Sequence, residues 1–253
     1  CVILVQFTDY GFRKGAEMNN MLNQDGFQGT GSVAEYYRNS SWNKFQPIYE
    51  VWGPVTVPMT KRQARDDTGQ MIYYACQQAD ALGANFANYD TDNNGEVDNV
   101  YCFFAGYDRA QGGGDDCIWS HASGIGHKNL YLDGKKVSGY GCSSELKGNS
   151  GVNRVNIGTF THEFAHVIGL PDYYDTDGGD NGNGHTPGGW SLMASGCYNH
   201  DSSRPPLLSA VDRQHLGWAT IPNMPNGSIR LNKIQDCQGT GGYRVNTDMN
   251  DEY

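Results

Sequence analysis

The stretch HEFAHVIGLPD, residues 162–172, contains the residue types that metal-assisted hydrolysis needs. On a helix, positions four apart lie on one face, so His162 and His166 can direct imidazole nitrogens at one ion. Glu163 lies off that axis but within reach of a water on the metal, where it can act as a base. The spacing therefore predicts a zinc site with two nitrogen ligands and a catalytic carboxylate.

Chance is a poor explanation for this stretch. An HExxH motif should occur in about one random chain of this composition in two hundred. Requiring in addition Gly169 and Asp172 at their spacing from the second histidine reduces the figure to fewer than about one in ten thousand. A functional motif is therefore favoured over an ordinary helix that contains these letters.

Asp172 is the predicted third ligand, since a catalytic zinc usually takes three protein ligands and a water. No glutamate lies between Glu163 and residue 252, which nearly excludes a downstream helical glutamate. Gly169 can adopt a left-handed conformation and Pro171 prevents the helix from continuing, so the chain can turn back toward the metal. The alternative third ligands are Asp175 and His185.

The strands that would support this helix are predicted from apolar runs. Buried strands are expected at residues 1–7 and 99–107, with shorter strand-like segments at 45–58 and 117–121. Asp133-Gly134 between two alternating stretches predicts a hairpin turn. Strands thus lie mostly before the histidine helix and loops mostly after it.

Helices are predicted from periodicity and capping signals. Apolar residues recurring at three and four predict one long amphipathic helix over residues 66–86. Ser32 followed by Glu35 predicts the start of a short helix. The histidine helix should end at Gly169 and Pro171, and a last helix is expected over residues 207–216.

Composition excludes several classes of partner. The chain of 253 residues has a net charge of −10 with 18 Lys and Arg, which disfavours binding to nucleic acid or anionic lipid. It contains no run of 18 apolar residues, so no membrane insertion is expected. Residues 1–7 lack signal-peptide features, which indicates a fragment or a processed mature form. Seven cysteines predict several disulfides in an exported protein, with one thiol left over.

An acidic loop at residues 90–98 predicts a second metal site, for calcium. The candidate ligands stand at alternate positions of the loop, on either side of Gly95: Asp90, Asp92, Asn94, Glu96 and Asp98. Glu96 would bind through its backbone carbonyl. Tyr101 occupies the position where an EF-hand has a bidentate glutamate, so the loop is not an EF-hand. The alternative is a plain polar turn. Residues 175–184 have similar letters without the same register.

The motif HEFAHVIGLPD followed by WSLMASG resembles the metzincin zinc peptidases, whose motif is HExxHxxGxx(H/D) plus a methionine-containing turn. Within them the chain is similar to the secreted bacterial immune inhibitor A family. Further matching stretches are ILVQFTD, YYRNSSWNKF, DTDNNGEVDNVYCFFAGY, IWSH, SSEL and SAVDRQHLGW. The resemblance therefore spans most of the chain.

The resemblance implies a role for individual residues. His162, His166 and Asp172 match the ligand positions, although most metzincins have histidine at the third. Glu163 matches the general base, and Met193 matches the turn that forms a hydrophobic floor beneath the metal. Such enzymes commonly place a tyrosine or histidine near the metal as an oxyanion donor, and the candidates here are Tyr198 and His200. Three other histidines, His121, His127 and His215, are expected to be structural or solvent-facing.

We therefore expect an α/β (α+β) metzincin-like catalytic domain over residues 1–253. Its N-terminal lobe, residues 1–169, would hold a twisted mixed sheet and the active-site helix. A loop-rich C-terminal lobe, residues 170–253, would be truncated at its end. Substrate would bind as an added strand, for which residues 139–146 could supply the sheet edge, unless they form an ordinary core strand.

The expected function is that of a secreted bacterial zinc endopeptidase that hydrolyses protein or peptide substrates by a metal-activated water. By resemblance, an inhibitory pro-segment outside this chain is expected. One alternative is a calcium-stabilised surface or adhesion module with a structural or vestigial zinc site, and another is a non-proteolytic metal hydrolase. A structural zinc has no need of Glu163, which favours the enzyme.

Overall fold

A five-stranded sheet lies at the centre of the computed structural model, which describes residues 1–177, 184–236 and 241–245. The sheet order is β2-β1-β3-β7-β4, with parallel pairing except between β4 and β7, which are antiparallel. A separate hairpin joins β5 and β6. The strands are β1 (Val2–Gln6), β2 (Val51–Thr56), β3 (Tyr101–Tyr107), β4 (His121–Gly124), β5 (Leu130–Leu132), β6 (Lys135–Val137) and β7 (Gly139–Leu146).

Helices cover both faces of this sheet. They are α1 (Gly15–Asn23), α2 (Val33–Ser40), α3 (Lys61–Asp66), α4 (Thr68–Ala81), α5 (Ile157–Val167), α6 (Asn199–Ser202) and α7 (Ala210–His215). The short α6 has positive φ angles at His200 and Asp201, so it is a left-handed turn rather than a regular helix. Among the described residues, no helix is long and apolar enough to cross a bilayer.

The alternating side chains of β1 connect two apolar layers. Ile3 and Val5 belong to the layer under α4, whereas Val2 and Leu4 belong to the layer under α1, α2 and α5. Successive strand residues point to opposite faces, and all four are at most 2% exposed. A sheet buried on both faces explains why the strand reads as a continuous apolar run.

Aromatic packing fixes α5, the helix that carries the histidines, onto this sheet. The ring centroid of Phe160 lies 5.4 Å from that of Phe103 and 4.0 Å from that of Tyr101. On the side of α2, the Tyr37 hydroxyl donates a 2.6 Å hydrogen bond to the Thr161 carbonyl. The helix therefore has a defined position and rotation relative to the strands.

The mixed α/β sheet predicted from the sequence is confirmed, but the single helix over residues 66–86 is wrong. The Asp67 side chain accepts a 2.8 Å hydrogen bond from the Gln70 amide and caps α4, which separates it from α3. The helix ends at Ala81, before Gly83 with φ +105°, and Phe86 lies in a separate 3₁₀ turn. Periodicity alone continued through these breaks because the apolar spacing persists on both sides of them.

Two other boundaries differ from prediction. The short strand expected at 117–121 begins only at His121, and the last helix begins at Ala210 because Ser209 forms a capping box with Asp212. Residues 139–146 form β7, an interior strand, so the sheet edge on this side is β4. The hairpin turn is confirmed, with positive φ at Asp133 and Gly134.

The six described cysteines are free thiols, and Cys237 lies outside the described residues. The expected disulfides are thus not found in the described part of the chain. Cys76, Cys102 and Cys142 are fully buried in the layer under α4. They pack there as small apolar side chains.

Close packing at Gly158 yields a stability prediction. A Cβ added at this position in α5 would lie 1.9 Å from the Cys197 carbonyl oxygen. Gly158→Ala should therefore lower the free energy of unfolding by about 1–3 kcal/mol, although alanine stabilises an ordinary helix by about 1 kcal/mol relative to glycine. Urea denaturation measures this, with Gly126→Ala as control, because the nearest atom to its added Cβ is 3.9 Å away. Equal stability of Gly158→Ala and the parent would contradict the close contact.

Candidate active site

Three ligand-type atoms converge where α5 ends. Gly169, with φ +107°, turns the chain after the helix, and Asp172 returns to the helix face. Its Oδ1 lies 3.2 Å from His162 Nε2 and 3.3 Å from His166 Nε2. Ligand atoms of the three residues all lie within 4.8 Å of one another. The tertiary structure thus brings together the three residues that the sequence predicted as ligands.

The protonation of these atoms follows from their other hydrogen bonds. His162 Nδ1 lies 2.9 Å from the Leu192 carbonyl, and His166 Nδ1 lies 2.8 Å from the Leu170 carbonyl. A carbonyl can only accept, so each Nδ1 carries a proton and, in the neutral ring, each Nε2 presents a lone pair. Such second contacts are the usual way in which a metal-binding histidine is oriented.

Asp172 Oδ1 is buried and has no hydrogen-bond partner. A buried, unsatisfied carboxylate oxygen facing two imidazole lone pairs is unfavourable by itself. Protonation of one imidazole would satisfy one of the two contacts, whereas one cation between the three atoms satisfies the whole set. Two imidazoles and a carboxylate match the donor set of a catalytic zinc. The residues therefore fit a zinc ion.

A turn at residues 191–194 holds two parts of this arrangement. The Leu192 carbonyl accepts the bond from His162, and the next carbonyl, of Met193, accepts a 2.8 Å bond from the Tyr173 amide. Met193 is itself fully buried. The sequence pointed to Met193 for its side chain, but it gave no signal for the carbonyl contacts that link this turn to His162 and to the residue after Asp172.

Glu163 is 8% exposed and lines the cleft beside the three ligands. Burial raises the pKa of Glu163 to about 7, with His162 opposing the rise and the carboxylates of Asp172 and Asp108 adding to it. Positive charge brought to the ligand atoms would lower this pKa again. Without a cation at the ligand atoms the carboxyl group therefore exchanges its proton near neutrality, and with one it is more readily ionised.

The cleft is a cavity of about 1030 Å³ that contains both the ligand group and Glu163. Tyr198 lines it and is 52% exposed, whereas His200 does not line it. Only one of the two candidate oxyanion donors is therefore in the cleft. The left-handed turn at residues 199–202 accounts for the different placement of two residues so close in sequence.

Reasoning from the sequence missed three further residues that line the cleft: Asp108, Trp119 and Tyr174. Burial, and after it the neighbouring Asp172 carboxylate, raise the pKa of Tyr174 to about 12. Its position two residues after a predicted ligand was an available signal. Asp108 directly follows β3, so its place at the end of a buried strand was the signal in its case.

The other histidines have mixed outcomes. His121 was interpreted as structural or solvent-facing, but it lines the cleft, with Nε2 2.8 Å from the Tyr140 hydroxyl. His215 Nε2 lies 3.0 Å from the Gly169 carbonyl, which is a structural contact, and His127 is exposed. The alternative third ligands Asp175 and His185 are exposed and do not join the ligand group.

A second group of carboxylates lies in the acidic loop. Ligand oxygens of Asp90, Asp92 and Asp98 lie within 4.8 Å of one another. Lys135 Nζ is 2.5 Å from Asp90 Oδ2, and the Gly95 amide donates a 3.0 Å bond to the same oxygen. Part of the negative charge of this group is therefore already compensated by protein groups, in contrast to the histidine site.

Comparison with known proteins gives concordant results. The model of the family described as immune inhibitor A peptidase M6, catalytic domain, matches residues 22–219. Immune inhibitor A of Bacillus thuringiensis subsp. alesti is 30% identical over 132 residues, which cover 45% of this chain and 18% of that protein. The pre-pro-metalloprotease PrtV of Vibrio cholerae serotype O1 (strain M66-2) is 30% identical over 157 residues, 52% of this chain and 16% of that protein.

The matched region thus spans less than a fifth of the length of either relative. The family match, in contrast, covers most of this chain and includes the helix, the turn after it and the methionine. A chain with this sheet and this convergence of residues belongs to the immune inhibitor A peptidase M6 family, within the part that forms its catalytic domain.

Proposed function

We propose that the chain is the catalytic domain of a zinc-dependent endopeptidase that cleaves proteins or peptides. The observation that carries this proposal is the unsatisfied Asp172 Oδ1 between two imidazole Nε2 atoms whose opposite nitrogens are both bound to carbonyls. Membership of a metallopeptidase family supports the same chemistry. His162, His166 and Asp172 would hold the ion, and its arrangement would be that of a metzincin with aspartate as third ligand.

Zinc held by these atoms would lower the pKa of a water toward about 7 and polarise the scissile carbonyl. The Glu163 carboxylate accepts a proton from the attacking water and then delivers it to the amine nitrogen of the departing peptide. Zinc would lower the pKa of Glu163 from about 7, which favours the carboxylate form that accepts the proton. The Tyr198 hydroxyl is the candidate that donates a hydrogen bond to the oxyanion, because it lines the cleft beside Glu163.

An extended substrate would bind along β4. This strand is at the edge of the sheet, and its residues 121–123 line the cleft. The backbone groups on the side of β4 away from β7 are available to pair with an added strand. Backbone pairing gives affinity for many sequences, so specificity must come from side chains along the cleft.

We also propose how the domain is divided into lobes and what kind of enzyme it comes from. The sheet with α5 would form the N-terminal lobe, residues 1–169, and the turn with Met193 and α7 would belong to a C-terminal lobe, residues 170–253. Bacterial relatives described as immune inhibitor A and as a pre-pro-metalloprotease favour a secreted bacterial enzyme made with a pro-segment.

Glu163→Gln tests the catalytic role against the adhesion-module alternative. The amide keeps the size of the side chain but cannot accept the proton, so casein cleavage should fall by at least about 10²-fold. Zinc content measured by mass spectrometry should stay at one ion per chain, because Glu163 is not a ligand. Near-normal cleavage by this variant would disprove the role. A wild-type protein that binds zinc but hydrolyses only non-peptide substrates would favour the other hydrolase.

Asp172→Asn tests the third ligand. Loss of the carboxylate should weaken zinc binding by more than the roughly 10–100-fold that follows loss of an outer-shell partner. Competition with a zinc chelator measures the affinity, and Asp175→Asn is the matched control because it changes the alternative ligand three residues away. Weaker binding in the control variant together with unchanged binding in Asp172→Asn would reverse the assignment.

We further propose a structural calcium ion at the acidic loop, with ligands from the group Asp90, Asp92, Asn94, Glu96 and Asp98. The convergence of three carboxylates supports it. The ion would have to displace Lys135 from Asp90. Affinity should therefore be modest, comparable to the roughly 10⁻⁴–10⁻³ M dissociation constants of extracellular modules.

Calcium at 10 mM should raise the melting temperature of the zinc-loaded protein, because an ion that binds only the folded chain stabilises it. Asp92→Asn combined with Asp98→Asn should remove this increase, whereas Asp80→Asn on α4 should keep it. Calorimetry without detectable binding and a melting temperature unchanged by calcium would leave the loop as a polar turn.

A further inference from the structure

We propose that Trp119 is a specificity-determining residue that contacts an apolar or aromatic substrate side chain, and that Asp108 is the positioning residue that holds it in the cleft. This role presupposes the proposed peptidase function and adds a substrate preference to it. The two residues lie at opposite ends of one loop, residues 108–120, which runs from the end of β3 to the start of β4.

Asp108 fastens the two ends of this loop together. Its carboxylate is fully buried and accepts a 2.8 Å bond from the Ala110 amide and a 3.2 Å bond from the Ser120 amide. The Ser120 hydroxyl donates a further bond to the second carboxylate oxygen. The Asp108 side chain thus binds Ala110, shortly after the end of β3, and Ser120, directly before the start of β4.

Backbone contacts also join the two ends of this loop, residues 108–110 and 118–120, which together are called the neck. The Arg109 amide donates a 3.0 Å bond to the Ile118 carbonyl, and the Gly113 amide donates a 2.9 Å bond to the Asp108 carbonyl. A Cβ added at Gly113 would lie 2.6 Å from that carbonyl oxygen, so the loop is too closely packed there for a larger residue. Burying a carboxylate is costly unless donors surround it. The three donors make the neck a fixed feature of the cleft wall.

Trp119 is the large side chain that this neck presents to the cleft. It is adjacent to Ser120, lines the cavity and is 58% exposed, which is unusual for an apolar residue of this size in a rigid segment. Its carbonyl lies 2.7 Å from Nδ1 of His121, the first residue of β4. The backbone of Trp119 is therefore held beside the edge at which a substrate strand would pair.

The surroundings favour an apolar partner over a charged one. Tyr198, also half-exposed, lines the same cavity and adds a second aromatic surface. Four carboxylates line the cavity. Asp172 and Glu163 would serve the metal chemistry, Asp108 is saturated by its three donors, and Asp98 accepts bonds from the Thr91 amide and hydroxyl. An indole has only two side-chain torsions, so on a held backbone it offers a large contact area with little entropy loss on binding. A leucine or phenylalanine side chain of the substrate fits this wall.

The first test is a double-mutant cycle with peptides. A site that the enzyme cuts in casein is copied into a quenched fluorescent peptide, and each position around it is changed in turn between Phe, Leu and Ala. Wild-type protein should prefer Phe or Leu at one position, and Trp119→Ala should reduce that preference about 10-fold, largely through KM. Trp119→Phe should retain most of it. An unchanged preference profile in Trp119→Ala would overturn the proposal.

The second test separates positioning from mere stability. Asp108→Ala removes all three bonds and Ser120→Ala removes the hydroxyl bond alone, so both should raise KM severalfold at unchanged zinc content. Ser120→Ala keeps the Asp108 charge near Glu163 and should also leave kcat unchanged. Ser120→Thr should rescue, since it restores the hydroxyl. Asp115→Asn, a 98% exposed carboxylate on the same loop, is the control. A lower melting temperature with KM unchanged would show that Asp108 is only structural.

Binding measured without turnover separates this inference from the peptidase proposal. In the Glu163→Gln background, fluorescence anisotropy gives the Kd of the labelled peptide, and adding Trp119→Ala should raise it about 10-fold, which corresponds to about 1.4 kcal/mol. If wild-type protein binds peptide but never cleaves it, the peptidase proposal fails while the Trp119 site stands. If cleavage is normal and both binding and preference ignore Trp119, the site fails alone.

Discussion

Three electron-rich atoms meet at one point of this fold, and the packing around α5 keeps them there. The atoms are His162 Nε2, His166 Nε2 and Asp172 Oδ1, and no protein donor satisfies the last of them. Each imidazole is held in this orientation by a carbonyl on its opposite nitrogen. Such an arrangement of lone pairs is unfavourable by itself, and one cation between the three atoms compensates for all of it.

The two candidate metal sites within the described part of the chain differ in how their charge is compensated. In the loop at residues 90–98, Lys135 and backbone amides already contact the carboxylate of Asp90. At the histidine site the contacts that support the ligands engage the imidazole Nδ1 atoms and leave the ligand atoms free. This difference is the physical reason to rank the histidine site above the acidic loop as a metal centre.

The cleft is built from elements that are far apart in the chain. β4 supplies its edge, the segment after Met193 supplies Tyr198, and the loop fastened by Asp108 supplies Trp119. All three elements are attached to the sheet or to α5, which also position His162, His166 and Asp172. The cleft walls therefore have a fixed position relative to these three residues. A substrate strand at β4 would thus meet the catalytic group and the specificity surface in a fixed relation.

The sequence by itself determined those features of the structure that depend only on residues close together in the chain. The four-residue spacing of His162 and His166, the glycine that permits the turn to Asp172, and the apolar runs of β1 and β3 are local patterns with local physical causes. They sufficed to predict the three residues that converge after α5, the hairpin and the class of fold. They failed at helix boundaries such as Asp67, where a cap interrupts a periodicity that continues beyond it.

Only the tertiary structure decided which carbonyl orients His162, which strand is the sheet edge, and which side chains share the cleft. The Leu192 carbonyl is 30 residues from its histidine, and Asp108 is 12 residues from the serine that it binds. β7 is interior because β4, earlier in the chain, folds back antiparallel on its outer side. Such relations arise from packing and hydrogen bonding between distant segments, which no spacing of letters along the chain specifies.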